Sequence, residues 1–137
     1  MKDKVLLVDD DAMVLAGLKR QLRNHFDIDT ALSGEDALNQ VQQNGPYAVI
    51  VSDFSMPGMN GIEFLCRVKK TDPDSTRMML TGSDDMTTAI QAVNEGSIFQ
   101  FHPKPCPADT LGKAIQSGID AYHKTTNHQT QFIKVQR

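Results

Sequence analysis

The sequence predicts a doubly wound α/β domain, a parallel sheet covered by helices on both sides. Short apolar, β-branched runs alternate five times with longer stretches of helical period. Strict strand–helix alternation implies right-handed crossovers and parallel strands. At 137 residues and 39% hydrophobic, the chain has material for one domain around a single hydrophobic core.

The first strand is "VLLV" at 5–8, followed by a helix with Val14, Leu15, Leu18 and Leu22 along one face. "FDIDTAL" gives a weaker second strand. Ser33, Gly34, Glu35 and Asp36 then offer an N-cap and an acidic first turn to a helix carrying Ala37, Leu38 and Val41, which Asn44-Gly45-Pro46 stops. "AVIVSD" is the third strand, followed by the turn "MPGMNG" and a helix placing Ile62, Leu65 and Cys66 toward the core. "RMMLTG" is the fourth strand. "DDMTTAIQAVNEG" is a helix whose Met86, Ile90 and Val93 share a face, with Gly96 at C′. "SIFQFHPKP" holds the fifth strand, and Pro107 suits the first turn of a last helix bearing Leu111, Ile115, Ile119 and Tyr122. Gly112 and Gly118 lower that helix's propensity, so packing must hold it. The domain is read as residues 1–124, and 125–137 as a fraying helix end, a polar tail or the start of a linker.

A formal charge of −3 without a basic stripe argues against direct nucleic-acid binding. No run is long and apolar enough to span a bilayer and no start resembles a signal peptide, so no membrane association is expected and the cytoplasm is the default location. Cys66 and Cys106 match no metal-ligand spacing and suit a reducing compartment as packing residues. His25, His102, His123 and His128 show no ligand spacing either, and Met56, Met59, Met78, Met79 and Met86 read as packing.

In a doubly wound sheet the strands point their C-terminal ends to one edge, where ligands bind. The first strand delivers Asp9, Asp10 and Asp11 there, the third Asp53, the fourth Thr81 and the fifth Lys104. Carboxylates held close repel, and a bound metal or a neighbouring cation relieves them. An incomplete cage of hard oxygens suits Mg²⁺, which keeps waters and takes only one or two carboxylates beside phosphate oxygens. Lys104 adds a mobile positive charge and Thr81 a hydroxyl, both useful against a phosphoryl group. Asp11 fits a plain helix cap, Thr81-Gly82 a turn and Lys104 a solvated side chain when each is taken singly; their arrival at successive strand tips favours chemistry.

"LLVDDD", "VSDFSMPGMNG", "MMLTG" and "FHPKP" together resemble the receiver domain of bacterial two-component response regulators, over residues 4 to about 124. The resemblance implies a flavodoxin-like, five-stranded sheet of order 2-1-3-4-5 with five helices. It implies that Asp53 accepts a phosphoryl group from a histidine kinase or phosphotransfer protein, with Mg²⁺ as cofactor. Asp10 and Asp53 would ligate the metal, Asp9 would lie nearby, often acting through water, and Ser55 would contribute its backbone carbonyl. Lys104 would pair with Asp53 or its phosphate, and Thr81 would move toward the phosphoryl oxygens. The surface of the fourth helix, fifth strand and fifth helix, about residues 85–122, would change on phosphorylation. It would control an attached or separate output, and the resemblance allows a homodimer through it. A C-terminal output domain outside this chain is implied too, and "NEGSIFQFHPKPCP" resembles receivers that precede one, including cyclic-di-nucleotide phosphodiesterase types.

The family's switch aromatic falls at Phe101, which has no hydroxyl and would act by packing alone. Gly82 replaces the usual Ala after the threonine and loosens that loop, and Pro103 restricts the backbone before Lys104. Lys104-Pro105 matches the family's cis bond. Three other functions compete. A haloacid-dehalogenase-type phosphatase needs a second Asp two residues after its nucleophile, where Ser55 stands, so only self-phosphotransfer and slow autodephosphorylation are expected rather than enzyme turnover. A pseudo-receiver would not need Asp10, Asp53, Thr81 and Lys104 together. Nucleotide or flavin binding would call for a Gly-rich loop after the first strand.

Overall fold

Strands that are apolar at nearly every position must be buried on both faces. The computed structural model, which describes residues 2–82, 86–94 and 98–136, has a sheet whose three central strands are almost wholly buried and whose two edge strands are partly exposed. β1 (Lys4–Val8), β2 (Asp27–Ala31), β3 (Val49–Asp53), β4 (Thr76–Thr81) and β5 (Gln100–Pro103) alternate with α1 (Ala12–Leu22), α2 (Gly34–Asn44), α3 (Gly61–Thr71), α4 (Met86–Asn94) and α5 (Ala108–Gln136). All pairings are parallel and the order is β2-β1-β3-β4-β5, as expected for this fold class.

The period of two along each strand divides the core into two layers. Leu6, Val8, Ile50 and Met79 face α2, α3 and α4, meeting Val41, Phe64, Leu65 and Ala89. Val5, Leu7, Val49, Val51, Met78 and Leu80 face α1 and α5, meeting Leu15, Leu22, Leu111 and Ile115. Ser33 caps α2 as expected, its Oγ accepting from the N–H of Asp36 at 3.1 Å. The helix ends at Asn44, before Gly45.

Several expected faces are corrected. On α4 the buried residues are Ala89 and Ala92, while Ile90 is 47% exposed, Met86 is half-buried and Val93 packs only at the margin. Small residues one turn apart let the helix lie close on the sheet, so bulk is not what marks its inner face. The Gly96 C′ position lies outside the described residues. On α3 Leu65 is buried but Ile62 and Cys66 only flank it, and the centre of the contact is Phe64 and Val68. Val14 of α1 is 42% exposed, and Pro107 sits just before α5, its carbonyl accepting the first helical bond from Leu111 N–H. α5 continues through Gln136, and the carbonyl of Gly118 accepts from Thr76 Oγ1 at 2.8 Å. A Cβ at Gly118 would stand 2.7 Å from Met78 Cε and 3.0 Å from Val49 Cγ2, so α5 lies close against the sheet there.

At the opposite edge of the sheet from the acidic strand tips, Tyr47 is wholly buried. Its hydroxyl donates to Asp29 Oδ2 at 2.6 Å, its N–H to Asp72 Oδ2 at 3.3 Å, and Lys4 lies over its ring. Burial, then the hydrogen bond to Asp29 and that carboxylate's charge, push the phenol far above its ordinary range, so it stays a donor. Tyr47→Phe is expected to lower the unfolding free energy by about 1–2 kcal/mol, read by urea denaturation, because it leaves Asp29 without that partner.

Candidate functional site

Because every strand runs the same way, the residues just past β1, β3, β4 and β5 meet at one rim. Asp9, Asp10 and Asp53 each bring a carboxylate oxygen within 4.8 Å of the others. Asp9 and Asp53 are buried there, at 5% and 4% exposure, and Asp10 is exposed. Lys104 Nζ lies 2.7 Å from Asp53 Oδ1 and 4.0 Å from Asp9 Oδ2. These residues, with Asp11, Val14, Leu18, Leu80, Pro105 and Cys106, line an open cleft of about 590 Å³.

The local backbone explains the convergence. Lys104 N–H donates to the Thr81 carbonyl at 2.9 Å, which carries the β4–β5 ladder one residue beyond Pro103 and aims the lysine into the cleft. Pro103 therefore does not turn it away, and the Lys104-Pro105 peptide is cis. Phe54 N–H donates to the Leu80 carbonyl at 2.9 Å, so the chain holds its course just past Asp53. Asp9 Oδ1 accepts from Asp11 N–H at 2.9 Å, and Asp11 caps α1 by accepting from the N–H groups of Met13 and Val14. Asp11 is thus spent on the helix.

Electrostatically, three carboxylates face one ammonium. Burial, then the charge of Asp53, hold Asp9 above the usual carboxylate range against the opposing pull of Asp11 N–H and Lys104. Burial works against the Lys104 charge, but the hydrogen bond and charge of Asp53 and the charge of Asp9 outweigh it and raise the lysine above its ordinary value. Three acids from the ends of β1 and β3 and a lysine just past β5 suit a divalent cation and an incoming anionic group.

Thr81 is wholly buried at the end of β4, and its hydroxyl donates to the Gly82 carbonyl at 3.1 Å. Ser55 is exposed in the loop after Asp53, and Phe101 of β5 is half-buried against the layer containing Leu6, Phe64 and Met79. Neither Cys66 nor Cys106 is in a disulfide. Sequence reasoning named Gly34 only as part of the start of α2 and did not single out Gly61. A Cβ at Gly61 would stand 2.4 Å from the Asp53 carbonyl oxygen, and one at Gly34 would stand 3.0 Å from Met59 Sδ. The glycine directly before the helical run at 61 was the available signal.

A five-stranded parallel sheet of this order, with acids and a lysine converging at its C-terminal rim, defines a class of regulatory α/β modules. A family model described as the response regulator receiver domain matches residues 5–116. The chain belongs to that family. It is 34% identical over 124 residues to the hydrogenase transcriptional regulatory protein HoxA of Cupriavidus necator, covering 88% of this chain and 26% of that protein. The chain therefore spans about a quarter of that relative. Among solved structures, one named for an adenylate cyclase from Rhodopirellula baltica is 40% identical with a TM-score of 0.95, covering 98% of this chain and 99% of that one. A receiver domain from Clostridium thermocellum is 32% identical with a TM-score of 0.81, covering 86% and 94% of the two chains. Receiver domains regulate rather than turn over substrate, and no helix among the described residues is long and apolar enough to cross a membrane.

Proposed function

We propose that the chain is a phosphoacceptor switch in which Asp53 takes a phosphoryl group from the phosphohistidine of a histidine kinase or phosphotransfer protein. The observation that carries this reading is the 2.7 Å contact of Lys104 with Asp53 beside the Asp9–Asp10 pair. Lys104 engages Oδ1, so attack falls to the other carboxylate oxygen. That oxygen bonds to phosphorus as the P–N bond to the donor imidazole breaks, and the departing nitrogen keeps the bonding pair. Asp10, Asp53, Asp9 and the Ser55 carbonyl would hold Mg²⁺. Bound there, the ion offsets charge on the phosphoryl oxygens. Lys104 then transfers its contact to a phosphoryl oxygen, and Thr81 gives up the Gly82 carbonyl for another. Phosphorylation adds nearly two negative charges beside these donors, which biases the loops that carry them and repacks Phe101.

The altered surface of α4, β5 and α5 would act on an output domain outside this chain or on a separate partner, or pair with a second copy. Ser55, two residues after Asp53, is a poor general base, so hydrolysis of the acyl phosphate is slow. Incubation with Mg²⁺ and a small phosphodonor is expected to add one phosphoryl group that hydroxylamine releases, and chelation of the metal to prevent it. No uptake, or uptake that survives chelation, would overturn the reading.

A further inference from the structure

We propose that Gly34, the first residue of α2, is a positioning residue for the site: the volume it leaves empty seats Met59 and so sets the height of the loop between Asp53 and Gly61. The inference rests on the function proposed above.

The backbone does not require glycine at 34. Gly58 is the one described glycine with positive φ, at 77°, and Ala would be a better helix former at 34. The neighbour is what favours it. A Cβ there would stand 3.0 Å from Met59 Sδ, 3.2 Å from its Cβ and 3.3 Å from its Cγ. The crowding reaches Met59 Cβ as well as the mobile thioether, so full relief would draw on the loop backbone by a few tenths of an ångström.

That loop has little slack. Gly61 N–H donates to the Phe54 carbonyl at 2.8 Å and closes it into a short ring, while Met56 and Met59 are buried in the core at 8% and 6% exposure. The neighbouring positions meet too, since Glu35 Oε1 is the nearest atom to a Cβ built at Gly58, at 3.6 Å. The first turn of α2, capped by Ser33, thus forms a seat under Gly58 and Met59. With Phe54 tied to Leu80 and to Gly61, pushing that seat upward would be taken up by the loop between them, which carries Ser55 and its carbonyl.

The test compares the native chain, Gly34→Val, Met59→Ala and the double variant in phosphorylation by a small phosphodonor across a Mg²⁺ titration, with thermal melting followed in parallel. Gly34→Val is expected to be labelled about tenfold more slowly, or to need about tenfold more Mg²⁺, because displacement of ligands by a fraction of an ångström is costly. Adding Met59→Ala moves the side-chain volume across the contact and is expected to bring both readouts back to within about threefold of native. A purely structural role would shift melting without shifting the Mg²⁺ midpoint of the folded protein. Should Gly34→Val fail to fold, Gly34→Ala carries the same comparison with a smaller shift. Native labelling in the folded variant, or a double variant no better than the single one, overturns this inference alone. An unlabelled native chain overturns the proposed function and this inference together.

Discussion

Asp53→Asn is expected to accept no phosphoryl group, to bind Mg²⁺ more weakly and to melt no lower than the native chain in the absence of divalent ions. The amide oxygen is a poor nucleophile, yet it can still accept a hydrogen bond from Lys104, whose ammonium lies 2.7 Å from the native carboxylate. The substitution also removes a negative charge beside Asp9, one of the causes that hold that buried acid above its usual range. Loss of the nucleophile and relief of repulsion therefore act on different observables. Intact-mass measurement after incubation with phosphodonor reads the first, and thermal melting in chelator reads the second. Label persisting in the variant would place the acceptor elsewhere. A clear fall in melting temperature would mean that the Lys104 pair stabilises the rim more than the acids strain it.

Gly61→Ala is expected to cost about 2–3 kcal/mol of stability and to slow labelling roughly a hundredfold. The added methyl would stand 2.4 Å from the Asp53 carbonyl oxygen and 3.0 Å from Phe54 Cα, and both are backbone atoms that no rotamer change can move aside. Either α3 backs away from β3 or the end of β3 shifts, and the second outcome moves Asp53 itself. Denaturant unfolding checks the stability term, and the labelling rate of the folded fraction checks the displacement. A variant as stable and as reactive as the native chain would mean that the loop yields without cost.

Much of this architecture was legible because its signals are local. The runs of β1 and β3 are apolar enough to be read as buried strands, and the caps at Ser33 and Asp11 follow from residue type alone. The family segments around Asp9, Asp53, Thr81 and Lys104 identified a rim on which Lys104 and the acids do converge. Inference from bulk held on α1 and α5, where Leu15, Leu22, Leu111, Ile115 and Ile119 are buried, and failed on α4. The α4 face was assigned to Ile90, but the sheet accepts Ala89 and Ala92, because how near a helix approaches is a property of the pair and not of the helix. Gly34 and Gly61 were passed over for the same reason, since an absent side chain has meaning only beside the atoms that would strike it.

The pin between α5 and the sheet at Gly118 has a mechanical corollary. α5 begins just beyond Cys106, on the wall of the cleft, and from Gly118 to Gln136 it runs on for roughly 27 Å. With Thr76 Oγ1 as fulcrum, a tilt of about 5° at that point would carry the far end about 2 Å, so that a small adjustment near Lys104 would be delivered at a distance as displacement rather than as chemistry.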